Sequence, residues 1–211
     1  MTRATLTLAA LLLAACANAG SPDAGNPAAP PLEAGQKEAI FAMGCFWCVE
    51  KPFDDVPGVL STTSGYTGGS SEHPTYAQVS SGRSGHYEAI RVVYDPTKTD
   101  YDKLLDVFWH NINPLQSDGQ FCDRGDQYRT AVFTSDAAEE KAYHRTREEV
   151  EAFFQDPVAT KLLPESTFWV AEDYHQDYYK TSPGSYNRYK WGCGRPQKLK
   201  ELWGDEAGGQ H

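Results

Sequence analysis

Beyond Gln36 the chain alternates short apolar blocks with stretches of helical spacing, and no segment repeats another. That pattern predicts a domain of mixed α and β structure. Ala39-Ile40-Phe41-Ala42-Met43 is an apolar run of strand length, and Gly44 breaks it. Phe46, Val49 and Phe53 then fall at helical spacing over 46–55, where Pro52 keeps the helix short or bent. Val59 to Tyr66 reads as a second strand running into the turn Gly65-Tyr66-Thr67-Gly68-Gly69, and Tyr87 to Tyr94 as a third, stopped by Asp95-Pro96. Leu104, Leu105, Phe108, Trp109 and Ile112 mark one helical face that ends before Pro114. Thr130 to Thr134 reads as a strand, and Thr134-Ser135-Asp136 offers capping oxygens to a charged helix reaching about Phe154. After Pro183 no period stands out, so an irregular C-terminal segment is expected.

The first 35 residues follow a different rule. One positive residue, Arg3, precedes an apolar stretch from Leu6 to Ala15, long enough for the core of a signal peptide and too short to span a bilayer. It closes with Leu13-Ala14-Ala15-Cys16, which resembles the lipobox of bacterial lipoproteins and makes Cys16 the expected lipidated residue of a membrane-anchored chain facing the periplasm. Ala17-Asn18-Ala19 also fits ordinary cleavage, within a signal peptide of residues 1–19, and would release a soluble periplasmic protein. Residues 17–35 are mostly alanine, glycine and proline, so they read as a flexible linker. The folded domain is then expected over 36–205, with 206–211 a disordered tail.

Composition narrows the function. With 29 acidic against 19 basic side chains the net charge is −10, which excludes a nucleic-acid footprint built on counterion release. The chain has five cysteines. In the envelope they meet oxidising conditions, so the four in the domain could form disulfides, bind a metal or carry redox chemistry.

The most informative stretch is Gly44-Cys45-Phe46-Trp47-Cys48-Val49-Glu50. A thiol at a helix N-terminus faces unpaired N–H groups and the positive end of the dipole, both of which favour the thiolate, so Cys45 is the better nucleophile. Cys48, one turn later, is placed to reach back and form a disulfide. As alternatives, both are small core residues or two zinc ligands. Cys122 and Cys193 each stand alone in sequence, which argues against a zinc ribbon or finger. Glu88 lies within the third strand on the face shared by Ile90, Val92 and Tyr94. A carboxyl group on an apolar face either finds a cation or stays protonated, as a general acid must at neutral pH. The bland alternative places it at an exposed or arginine-paired edge.

Gly-Cys-Phe-Trp at 44–47, Gly-Tyr-Thr-Gly-Gly at 65–69, Pro-Thr-Tyr at 74–76, Gly-His-Tyr-Glu-Ala at 85–89 and Asp-Arg-Gly-Asp-Gln-Tyr-Arg at 123–129 occur in order and at family-like spacing. Over about residues 38–203 the chain resembles the A-type peptide methionine sulfoxide reductases. The resemblance implies an α+β domain with a two-layer, plait-like mixed sheet flanked by helices, acting on the S epimer of methionine sulfoxide, free or within proteins, without a metal or organic cofactor. It also implies Cys45 as nucleophile and Glu88 as acid, helped by hydrogen bonds from Tyr76 and Tyr128. Phe46 and Trp47 would form the apolar wall for the substrate methyl group, and Asp123 would order the polar side of the pocket. Cys45 would become a sulfenic acid, a second cysteine would convert it to a disulfide, and a thioredoxin-like partner would reduce that disulfide. A monomer is expected.

Two departures from the family pattern stand out. Many members have glycine where this chain has Cys48 and resolve with a cysteine near the C-terminus, for which Cys193 is the candidate here; loop-closure entropy favours Cys48. Cys122 replaces a small polar residue and could be inert or a relay thiol. Two other functions remain on the residues alone: a thioredoxin-like exchanger built on Cys45 and Cys48, which has no use for Glu88, and a binding module held by the four cysteines as two disulfides or a zinc site.

Overall fold

The computed structural model describes residues 25–209; the proposed signal segment and Cys16 lie outside them. Eight strands carry the fold: β1 (Lys37–Met43), β2 (Val59–Thr67), β3 (Tyr87–Tyr94), β4 (Gly119–Gln120), β5 (Asp123–Arg124), β6 (Thr130–Phe133), β7 (Lys161–Leu163) and β8 (Trp169–Val170). Six of them form one sheet in the order β7-β6-β1-β3-β2-β8, while β4 and β5 make a separate hairpin. Every pairing in the large sheet is antiparallel except β6 with β7, so the sheet is mixed. Among the described residues seven α-helices accompany it: α1 (Glu50–Asp54), α2 (Tyr76–Ser80), α3 (Tyr101–His110), α4 (Ala137–Phe154), α5 (Tyr178–Thr181), α6 (Pro183–Gly192) and α7 (Arg195–Trp203).

Period-two alternation sorts the central strands into two cores. Ala39, Phe41 and Met43 of β1 join Ile90, Val92 and Tyr94 of β3 in the larger cluster, with Leu104, Leu105 and Phe108 of α3 and Tyr143 of α4. Ile40, Ala42, Tyr87, Ala89 and Phe133 point the other way into a smaller cluster. Glu88 shares the larger-core face with Ile90, whereas Arg91, on the opposite face, pairs with Glu38. α3 begins where Asp100 accepts from Lys103 N–H, and α4 where Asp136 accepts from Ala138 and Glu139 N–H, one of the capping oxygens expected there.

Four expectations need correction. The helix expected over 46–55 divides into a 3₁₀ turn (Phe46–Cys48) and α1. Pro52 has no N–H to offer Cys48 C=O, so a continuous α-helix would lack that bond; instead Cys48 N–H bonds Cys45 C=O at 3.1 Å. The segment after Pro183 is helical rather than irregular, forming α6 and α7 with Gly194 (φ 70°) between them. The stretch expected as a flexible linker is tied down over its described part: Ala29 N–H donates to Phe168 C=O, Val170 N–H to Pro27 C=O, and Asn26 Nδ2 to Pro74 C=O. It therefore straps the β8 edge, satisfying polar groups that a bare edge would expose. In the expected tail, Gly208 N–H bonds His110 C=O and Gly208 C=O accepts from Asn111, so residues 206–209 are docked.

Candidate active site

β1 ends at Gly44, whose φ of 85° turns the chain abruptly, and a Cβ there would lie 2.6 Å from Gln120. Only glycine fits both demands. The turn delivers Cys45 into the core, 7 % exposed, beside β3. Phe46 N–H, the next donor along the chain, bonds Glu88 Oε2 at 3.2 Å. Glu88 is 1 % exposed. Burial pushes its carboxyl up to about 8, against the pull of the Phe46 hydrogen bond and aided by Asp123. It is thus a neutral acid at pH 7, with no cation paired to it among the described residues.

Cys45 departs from the thiolate expectation. Burial pushes its thiol well above the ordinary range; Glu88 and Cys48 push the same way, and a hydrogen bond with Tyr189 pulls back. The physical reason is local: the turn that follows is a three-residue 3₁₀ segment with little dipole to offer, and the sulfur is buried, where an anion is poorly solvated. Burial also raises the Cys48 thiol, opposed by Arg195 and Lys190. Both are free thiols, and the Cys48–Cys45 backbone bond sets them one 3₁₀ turn apart.

The expected pocket residues gather around these groups. Burial raises both the Tyr76 and the Tyr128 phenol, and proximity to Glu88 and Cys45 pushes the same way. Phe46 is buried and Trp47 partly so. Asp123, on β5, accepts from the Tyr189 hydroxyl, and burial raises its carboxyl while Tyr189 and Arg195 oppose. The arrangement combines a buried thiol, a neutral carboxylic acid, two phenols and an aromatic wall. Such a site can protonate a departing oxygen while a sulfur attacks its neighbour.

Several contributors were missed in the sequence. His175 Nδ1 accepts from Trp47 Nε1 at 2.8 Å, and its ring lies 4.8 Å from Phe46 and 4.6 Å from Tyr76. Burial lowers its pKa, keeping the ring neutral so that Nδ1 can accept. Glu172 accepts from Tyr66 Oη and Tyr76 N–H, each at 2.8 Å, and Tyr178 stacks on Trp47 at 4.0 Å. His175 and Glu172 come from a three-residue 3₁₀ turn (Asp173–His175) and the residue before it, and Tyr178 from a four-residue helix, segments too short for a period to mark. His86, by contrast, lies within the Gly-His-Tyr-Glu-Ala motif already singled out, and it makes structural hydrogen bonds to Ser71 C=O and Gly69 N–H that hold the glycine turn. Cys193 is not free beside Cys45 but is disulfide-bonded to Cys122. With Asp123, these two sulfurs form the metal-sized cluster found among the described residues, but the disulfide occupies both sulfur donors.

A family model described as peptide methionine sulfoxide reductase matches residues 37–207. The chain belongs to that family. It is 46 % identical over 168 residues to the peptide methionine sulfoxide reductase MsrA of Bacillus licheniformis, covering 79 % of this chain and 93 % of the relative. It is 48 % identical over 177 residues to MsrA 2 of Caulobacter vibrioides, covering 83 % and 90 %. Among solved structures, methionine sulfoxide reductase A of Corynebacterium diphtheriae is similar at a TM-score of 0.65 and 31 % identity, over 72 % of this chain and 77 % of that one. The chain is therefore an oxidoreductase that reduces methionine sulfoxide, and the fold is the α+β one expected. Neither the exchanger nor the binding-module reading fits this membership.

Proposed function

We propose that Cys45 is the nucleophile and Glu88 the acid in this reduction, acting on the S epimer. The observation that carries this reading is the buried, cation-free Glu88 carboxyl, held by the peptide N–H directly after Cys45. Glu88 donates its proton to the sulfoxide oxygen, which makes the substrate sulfur electrophilic. Cys45 attacks that sulfur and releases its thiol proton to the Glu88 carboxylate. The substrate S–O bond breaks as an S–O bond forms on Cys45, and the transient bond between Cys45 sulfur and substrate sulfur breaks with its electron pair returning to the substrate, so methionine leaves reduced and Cys45 is a sulfenic acid. Tyr76 and Tyr128 donate hydrogen bonds to the oxygen, Phe46 and Trp47 enclose the methyl group, and Asp123 orders the polar side. Because both the thiol and the acid are uncharged at rest, the pocket admits a neutral, polarised S–O group without leaving a buried charge unpaired.

Cys48 then attacks the sulfenic sulfur, water leaves, and a Cys45–Cys48 disulfide forms. The 3₁₀ turn that joins the two cysteines and the pairing of Cys193 with Cys122 support Cys48 over Cys193. An external dithiol protein of thioredoxin type would return both thiols. The test offers the purified chain both enantiomers of methyl p-tolyl sulfoxide with dithiothreitol. Turnover of one enantiomer, abolished in Cys45→Ser, is expected; turnover that survives Cys45→Ser refutes the nucleophile.

The leader motif and a disulfide whose Cys122 is an exposed residue support a place in the cell envelope. The mass of the N-terminal peptide from cells tests this, with lipidated Cys16 or free Gly20 expected; an uncleaved Met1 end contradicts it.

A further inference from the structure

Four of the five cysteines lie in the folded domain, and the reaction above uses Cys45 and Cys48. The other two are bonded to each other across 71 residues, between the two segments that build the polar side of the pocket. Cys122 sits at the tip of the β4–β5 hairpin, next to Asp123, with Cys122 N–H directed at Cys193 Sγ at 3.2 Å. Cys193 caps α6, one turn after Tyr189. The Tyr189 hydroxyl in turn bridges Asp123 and the Cys45 sulfur, and the Tyr189 ring meets Trp47 edge-on at 5.7 Å.

Neither segment is well held by its own packing. The hairpin strands are two residues each, and α6 buries only Tyr186 among its ten residues. By contrast, the start of α7 is anchored: Arg195 is buried, donates to Met43 C=O and Asn111 C=O, and lies over the Phe121 ring. The disulfide therefore sits where α6 would otherwise be free to swing about Gly194. A helix with so little buried apolar surface has a small barrier to local opening, and a covalent cross-link removes that freedom.

We propose that the Cys122–Cys193 disulfide is a positioning clamp for the substrate pocket, holding Tyr189 and Asp123 against Cys45, rather than a pair through which electrons pass. The proposal rests on the reading of Cys45 and Asp123 given above. Cys122 and Cys193 are positioning residues, since neither needs to touch substrate for the clamp to act. Opening it lets α6 drift, so the pocket must be reassembled each time substrate binds, and the cost falls on affinity. The bond rearrangement at sulfur, which uses Cys45 and Glu88, is left nearly intact at saturation.

The test is rapid-quench single turnover with excess methionine S-sulfoxide and no reductant, on the full chain prepared with Cys45 and Cys48 reduced and the Cys122–Cys193 bond intact. The wild type should form one methionine per chain; if it forms none, the assigned chemistry has failed, independently of the clamp. In Cys122→Ser/Cys193→Ser we expect the same amplitude, a half-saturating concentration raised about tenfold, and a limiting rate within about threefold. Within the clamped chain, Tyr189→Phe and Asp123→Asn should raise half-saturation by a similar factor, a comparison that does not depend on the open variant folding. Adding Tyr189→Phe to the open chain should then cost little more, because the clamp acts through that contact. An unchanged half-saturating concentration in the open chain, fully additive effects, or a normal burst with steady-state turnover lost only when a dithiol protein is the reductant would each overturn the clamp. The last result would make the pair an electron relay.

Discussion

Glu88→Gln separates the acid's stability cost from its chemical use. Burial raises the carboxyl from 4.5 to about 8, so at pH 7 the native state holds a proton that the unfolded chain has released. The cost is 2.3RT times the distance from 4.5 to the working pH, about 3 kcal/mol at pH 7. The sign follows directly: the native state gains from the raised pKa fully below 4.5, loses that gain as pH rises, and is flat again above about 8. Glutamine keeps the shape and the carbonyl that accepts from Phe46 N–H, but does not titrate. Thermal unfolding should therefore match wild type near pH 4 and exceed it at pH 7 by roughly 6–12 °C, at about 2–4 °C per kcal/mol for a domain of this size. Activity moves the other way. An amide still hydrogen-bonds the sulfoxide oxygen but cannot protonate it, so the limiting rate should fall about 10²–10⁴-fold, and Glu88→Ala should fall further. A variant no more stable than wild type at pH 8, or an advantage that does not grow with pH, would refute the neutral buried acid; equal rates for the glutamine and alanine variants would refute its chemical role.

Further outcomes follow from the same geometry. The wild-type limiting rate should decline above about pH 8, where Glu88 ionises, and a pH profile flat to pH 9.5 would contradict this. Phe108→Ala opens a cavity where α3 meets Phe41 of β1 and should cost about 3–5 kcal/mol in denaturant unfolding; a cost under about 1 kcal/mol would mean that the core is not packed as described. A chain begun at Lys37 loses the strap's bonds to Phe168, Val170 and Pro74, at about 1 kcal/mol each, so its unfolding temperature should drop by several degrees; an unchanged temperature would show that the strap does not hold the β8 edge.

The strands were legible where alternation was clean. β3 and β1 appear at nearly the expected residues, and the alternation of β3 already set Glu88 on the apolar face with Ile90 and Val92. The charged helix α4 was legible from its capping oxygens and its length. What stayed hidden lacked a local period. α6 is exposed on most sides and so carries no apolar stripe, although Pro183 at its first turn and Gly194 after its end were usable signals. The Trp47–His175 bond spans 128 residues, and no local pattern encodes a contact at that range. The thiolate expectation for Cys45 failed because helix spacing says nothing about depth: the same residues that made a turn also buried the sulfur beside a carboxyl group. The strap at 25–31 was misread because its alanines and prolines cannot form a core, yet its backbone groups alone are enough to extend a sheet edge.

The central claim is that oxygen passes from the substrate to Cys45 and that Cys48 then closes on the same sulfur. The most direct measurement is peptide mapping by mass spectrometry after one equivalent of methionine S-sulfoxide is added without reductant. One methionine per chain and a new Cys45–Cys48 disulfide, with Cys122–Cys193 unchanged, is the predicted result. A Cys45–Cys193 bond would contradict the assignment of Cys48, and methionine formed with Cys45 left as an unmodified thiol would contradict the account at its root.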